Sequence, residues 1–255
     1  MVERSPAEGE LKTVLADLHL HTVASACAEI EMIPPLIARR ANELGLGLLA
    51  VTDHHTVDNV AAVQRAAAEY DIRVLPGMEV QTREEAHVVC LFAELETALA
   101  WQETVYAHLP ALPNREEFFG AQYVVDETGD YVRSNERLLQ TSLSLSVEEV
   151  VAGVRALGGL PIAAHVDRPS FSLLASLGFI PPTLDLAAIE VSRHCDVAVL
   201  LQRYPELGAW PIVRGGDAHL LADIQRSLRL VVKARILGEL ALALAGREGR
   251  SVALV

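Results

Sequence analysis

Histidines and acids recur along the chain in short clusters, and the first, Asp17-Leu18-His19-Leu20-His21, sets the pattern. Alternate side chains of an extended strand share a face, so Asp17, His19 and His21 are expected on one side and Leu18 and Leu20 on the other, toward a core. Two imidazoles two residues apart can reach a single ion. Further clusters follow at Thr52-Asp53-His54-His55, Gly77-Met78-Glu79, His87, Ala164-His165 and Gly215-Gly216-Asp217-Ala218-His219. Seven of the nine histidines lie in this set, each beside the expected end of an apolar strand. Polar groups buried there are costly unless something satisfies them, and a multinuclear metal site would do so.

The elements that must position these groups follow a repeating order of strand, polar tip and helix. Strands are expected up to His21, at 48–51, 72–75 (ended by Pro76-Gly77-Met78-Glu79), 87–92, 160–164, 188–192, 212–213 and 229–233. Helices are expected from Pro34-Pro35 to Leu44 with Gly45 as the stop, at 59–70, from the Ser146-Val147-Glu148-Glu149 capping box to Leu157, and at 196–204 and 236–245. Such alternation implies an α/β fold of parallel strands with helices outside, whose carboxyl ends converge on one face. The rhythm breaks over residues 93–145, read as an insertion with a helix at 97–108, acting as a lid or a partner surface.

The bulk properties narrow the function. A chain of 255 residues, half of them apolar, can bury the core of one large domain, and 1–255 is read as a single domain carrying that insertion. Net charge −13 argues against binding an extended nucleic-acid backbone. Lys12 and Lys233 are the only lysines, so arginine supplies nearly all the positive charge, and arginine suits bidentate phosphate recognition. Cys27, Cys90 and Cys195 show no disulfide spacing, no segment resembles a signal peptide, and no apolar run is long enough to span a membrane. A cytoplasmic protein is expected.

A His-x-His opening is shared with amidohydrolase-type barrels, which commonly bridge two metals with a carboxylated lysine. No lysine lies between Lys12 and Lys233, and Glu79 is the better bridge, having two oxygens for two ions. The chain as a whole resembles the PHP (polymerase and histidinol phosphatase) family. The resemblance rests on Asp17-Leu18-His19-Leu20-His21-Thr22, Thr52-Asp53-His54, Gly77-Met78-Glu79, Ala164-His165 and Gly216-Asp217-Ala218-His219. It implies a distorted seven-stranded (βα) barrel with two or three divalent ions (zinc, manganese or iron) at its carboxyl-end face. Carried over by residue, it assigns His19, His21, Glu79 and Asp217 to one ion, Glu79 with His87 and His165 to a second, and His54, His219 and Cys27 to a third. Family members commonly carry His or Asp where Cys27 stands, and a small buried thiol is the other reading of that residue.

The resemblance further implies phosphoester hydrolysis, expected to proceed through a metal-bridging hydroxide. Arg168 and Arg193 follow strands on that face and are expected to neutralise phosphate oxygens. Asp53 is expected to orient a ligating histidine or shuttle a proton. The expected substrate is a small phosphomonoester or nucleotide-like compound. An exonuclease on short single strands and a non-catalytic regulatory domain acting through partners are the alternatives. His55 should point away from the ligands, His108 lies in the insertion, and His194 is a weaker candidate near the site.

Overall fold

The computed structural model describes residues 9–255. Its main sheet follows the expected alternation. It begins with β1 (Lys12–Leu20), α1 (Pro34–Glu43), β2 (Leu48–Val51), α2 (Val60–Ala68), β3 (Arg73–Gln81) and β4 (His87–Leu91). Residues 93–145 hold α3 (Leu95–His108), the short α4 (Glu116–Phe119) and a hairpin of β5 (Tyr123–Val125) and β6 (Tyr131–Ser134). Then come α5 (Val147–Ala156), β7 (Leu160–Ala163), α6 (Leu173–Leu177), β8 (Ala188–Val191), α7 (Val197–Arg203), β9 (Ile212–Arg214), β10 (Leu228–Val232), α8 (Leu237–Leu244) and β11 (Ser251–Leu254). Ser146 caps α5 reciprocally with Glu149, and Gly45 follows α1 at φ +66°, both as the sequence indicated.

The sheet has nine strands in the order β11-β10-β1-β2-β3-β4-β7-β8-β9. It closes on itself where the end of β1 meets the segment after β9: His21 N–H donates to Ala218 O (2.9 Å) and Ala218 N–H to His19 O (3.2 Å). Seven strands, β1 to β4 and β7 to β9, thus form the distorted barrel. The sheet exceeds the expected seven because β10 pairs antiparallel with the first half of β1 and β11 pairs antiparallel with β10. Two apolar layers result. One, including Ala16, Leu18, Leu48, Ala50, Val89, Ile162 and Ala188, fills the barrel with Leu237 and Leu240 of α8 below it. The other packs α1, α2, α3 and α5 against the outside.

Three local features differ from the sequence reading. First, β1 does not alternate throughout. Asp17 pairs with Leu49 but Leu20 with Val51, so β1 holds one extra residue, a bulge. Leu18 consequently packs inside the barrel while Leu20 packs in the outer layer, and Asp17 does not join the histidines. Second, β4 runs antiparallel to both β3 and β7, so the site gathers at carboxyl ends except for His87, which reaches the same face from an amino end. Third, β3 continues through Pro76. It pairs with β2 up to Pro76 and with β4 from Gly77 on, so the residue lacking an N–H falls where the strand changes partners.

Candidate metal centre

Glu79 is the hub. Its side chain is almost fully buried, and imidazole nitrogens of five histidines surround its two oxygens: His87 Nδ1 at 2.9 Å, His54 Nδ1 at 3.2 Å, His165 Nε2 at 3.2 Å, His19 Nε2 at 3.3 Å and His21 Nε2 at 3.4 Å. Asp217 Oδ1 stands 3.1 Å from His21 Nε2 and 3.3 Å from His19 Nε2. Two carboxylate oxygens offer about four lone-pair positions, too few to pair with five ring nitrogens. His165 Nδ1 is moreover buried without a partner. Cations shared among these groups resolve the shortage of lone pairs, and a donor set rich in imidazole with two carboxylates suits zinc, iron or manganese.

Among the described residues, three groups have donor atoms within 4.8 Å of one another: His19, His21, Glu79 and Asp217; His54, Glu79 and His87; and His21, His54 and His219. The first matches the expected set. In the second, His54 stands where His165 was expected, although His165 contacts the same Glu79 oxygen as His87. The third contains His21 instead of Cys27. Cys27 lines the same cavity as His54, Glu79, His87 and His219 but joins none of the three groups. Desolvation, with the Glu79 charge nearby, pushes its thiol up to about 12 when no cation is beside it.

Hydrogen bonds from the other ring nitrogens fix which lone pairs face the cluster. Glu190 accepts from His19 Nδ1 at 2.9 and 3.1 Å, and a carboxylate can only accept, so the Nδ1 proton is set and Nε2 is left open. Glu190 is buried in β8 and also accepts from His165 N–H at 3.2 Å. Its role was missed in the sequence, where Ala188-Ile189-Glu190-Val191 looks like an ordinary strand with one polar residue.

His21 is oriented by a longer chain. Ser25 Oγ gives its proton to Asp53 (2.7 Å) and therefore accepts from His21 Nδ1 (3.1 Å) and His54 N–H (3.1 Å). Asp53 also accepts from Thr22 N–H and Oγ1–H, each at 2.7 Å. It thus acts on His21 through Ser25, one of the two roles expected of it, and burial raises its carboxyl to about 6. His219 Nδ1–H donates to Asp217 O at 2.9 Å. Asp17 accepts from Gly216 N–H (2.9 Å) and Gln225 N–H (3.1 Å), bracing the loop that carries Asp217.

Burial alone would raise Glu79 and Asp217. The charge of His87 and His19 holds Glu79 well below the carboxylate range, and the charge of His19, with the His21 ring hydrogen-bonded beside it, does the same for Asp217. Burial lowers His21 to about 4, with His219 adding to the effect, so its ring is neutral at pH 7, the form a metal ligand requires. His165 and Asp217 sit at φ +30° and +43°, sparsely populated conformations of the kind that collect at functional sites.

Two adjoining cavities open over the cluster, of about 420 and 440 Å³, sharing Arg168, Asp217 and His219. Arg168 Nη1 lies 2.5 Å from Asp217 Oδ2 at their junction. Arg193 and His194 line the second cavity, with Arg193 ion-paired to Asp223. The 93–145 segment reaches the first through Gln140. His55 is buried, points away from the cluster and donates from Nε2 to Thr141 O (2.9 Å), tying that segment down. His108 is far from this chemistry, its Nδ1 bonded to Thr104 O within α3.

The PHP domain model matches residues 17–169. The 5'-3' exoribonuclease Rnm of Salmonella typhimurium is 36% identical over 81 residues, covering 30% of this chain and 26% of Rnm. Uncharacterized protein MJ1587 of Methanocaldococcus jannaschii is 27% identical over 100 residues, covering 35% of this chain and 58% of that protein. The chain thus spans about a quarter of Rnm's length. Among solved structures, the lesion-specific endonuclease PfuEndoQ from Pyrococcus furiosus superposes with TM-score 0.68 at 19% identity, over 94% of this chain and 58% of its own. A putative metal-dependent phosphoesterase from Bifidobacterium adolescentis gives TM-score 0.55 at 21% identity, over 85% and 89%. These likenesses share the α/β barrel. With more than half its length matched by the family model, the chain belongs to the PHP domain family.

Proposed function

We propose that the chain is a metal-dependent phosphoesterase acting on a small phosphorylated substrate. The observation that carries this reading is the buried Glu79 carboxylate among five histidines. His19, His21, Glu79 and Asp217 would hold one ion, Glu79 with His54, His87 and His165 a second, and His21, His54 and His219 form the candidate third set. Bound divalent ions supply Lewis acidity toward a phosphoryl group and make water a competent nucleophile near neutral pH.

The chain's own residues do the rest. Glu190, Ser25 with Asp53, and the Asp217 carbonyl hold the Nδ1 protons of His19, His21 and His219, so that the Nε2 lone pairs face inward. In this reading Arg168 and Arg193, on the cavity walls, exchange their ion pairs with Asp217 and Asp223 for non-bridging phosphate oxygens. Gln140 and Phe171 narrow the first cavity. Cavities of this size fit one phosphate and its substituent, and a net charge of −13 disfavours the repeated phosphates of a polymer.

The second reading, hydrolysis at the end of a short single strand, is favoured by the match to Rnm, a 5'-3' exoribonuclease. The test is kcat/KM of protein loaded with zinc, manganese or iron on a mononucleotide and on an oligomer with the same terminal base, across a range of salt. A preference for the oligomer above about tenfold that collapses with salt selects the second reading. No hydrolysis of any phosphoester by metal-replete protein refutes both.

A further inference from the structure

The wall of the first cavity beside His87 is made by Phe171, Gln81 and Gln140, none of which the proposed chemistry needs. Phe171 is a large aromatic residue left 46% exposed. Its ring stacks on that of His87, with centroids 5.0 Å apart and planes 23° from parallel. Its backbone sits at φ +54°, a region that a bulky side chain occupies only at a cost, and its carbonyl accepts His87 N–H at 2.9 Å. The ring is therefore registered to the strand that carries a cluster histidine, with much of its surface left free.

The two neighbouring side chains are carboxamides. Gln81 Nε2 donates to Ser142 Oγ at 2.8 Å, which directs its amide, and Gln140 is hydrogen-bonded to Cys27. Each amide can both donate and accept. An exposed aromatic face with amides beside it, in one cavity with a phosphoryl-binding cluster, matches a flat heteroaromatic ring that stacks on its face and hydrogen-bonds at its edge.

We propose that Phe171 is a specificity-determining residue that stacks the nucleobase of the substrate, with Gln81 and Gln140 at the base's edge. The phosphate-bearing substrate is then a nucleotide in preference to a sugar phosphate. This rests on the phosphoesterase reading and deepens it. The competing role, a prop for His87, predicts equal loss on every substrate.

The experiment compares kcat/KM for adenosine 5'-monophosphate and ribose 5-phosphate in the metal-loaded full chain and in Phe171→Leu and Phe171→Trp. Leucine keeps an apolar side chain and removes the π face. The AMP-to-ribose-phosphate ratio is expected to exceed ten in the native protein, to fall about tenfold to a hundredfold in Phe171→Leu, mainly through KM, and to return to within about threefold in Phe171→Trp. Phe171→Gly, at ease at φ +54°, gives the same comparison if the leucine variant does not fold. An unchanged ratio overturns the proposal while leaving the phosphoesterase reading intact. If the native protein hydrolyses neither compound, calorimetric titration with adenosine decides: binding weakened at least tenfold in Phe171→Leu supports the platform, and equal or absent binding overturns it.

Discussion

Glu190→Ala perturbs the centre without touching a residue assigned to a metal. The substitution removes the acceptor of His19 Nδ1–H and the acceptor of the His165 amide, both within 3.2 Å. A buried N–H left without a partner costs about 1–3 kcal/mol. In a chain of this length 1 kcal/mol corresponds to about 2–4 °C, so metal-stripped Glu190→Ala should melt several degrees below stripped native protein. His19 then also loses the group that fixes its tautomer and orientation. Loss of such a partner typically lowers metal affinity about tenfold to a hundredfold, or ~1.4–2.8 kcal/mol. Glu190→Gln retains an oxygen that can accept from both N–H groups and loses the charge, so it should fall near the tenfold end with a smaller change in melting temperature. The assay is competition for zinc against a chromogenic chelator, run beside thermal melts. An alanine variant that binds zinc within threefold of the native protein would refute the claim that Glu190 orients His19.

Glu79→Ala should abolish activity and cost at least one ion by elemental analysis, because two of the three donor groups share that residue. Cys27→Ala should leave the ion count unchanged, since Cys27 joins no donor group; loss of one ion would restore the expectation drawn from the sequence. Glu239 is held below its ordinary pKa, chiefly by hydrogen bonds from Arg250, which donates to it at 2.8 and 3.1 Å. A lowered carboxylate stabilises the fold above its unfolded pKa, near 4.5, and loses that contribution as pH falls through its folded value. The difference in urea midpoint between native protein and Glu239→Gln should therefore be largest at neutral pH and shrink below about pH 4.5; a difference independent of pH contradicts the pairing.

The histidine clusters were legible because a polar residue at the end of an apolar strand needs a chemical reason, and His19, His54, His165 and His219 share one. The groups that orient them were harder to read. Glu190 lies in a run with one polar residue, the signature of a strand with one solvated side. In a closed barrel that side faces inward, and only closure turns Glu190 toward His19. The β1 bulge was hidden for a related reason. Asp17, His19 and His21 fit perfect alternation, whereas the extra residue appears only in the register with β2. The direction of β4 was obscured because a strand of five apolar or half-apolar residues reads the same both ways. The β5–β6 hairpin fell in a segment whose scattered prolines and glycines suppress any period.

Barrel closure and assembly of the first donor group are the same event. The hydrogen bonds that join β1 to the segment after β9 run between His19, His21 and Ala218, so the residues that seal the sheet flank or carry His19, His21 and Asp217. The join tolerates little bulk. A Cβ at Gly215 would collide with Glu190 Oε2, and one at Gly216 with Asp17 Oδ2. Those two carboxylates are the ones that orient His19 and brace the Asp217 loop. The Gly215-Gly216 pair is thus required by the close approach of a loop to two buried carboxylates, neither of which belongs to a donor group. A substitution at either glycine would spread the seam of the barrel and pull Asp217 from His21, so metal affinity and barrel stability are coupled through one short stretch of backbone.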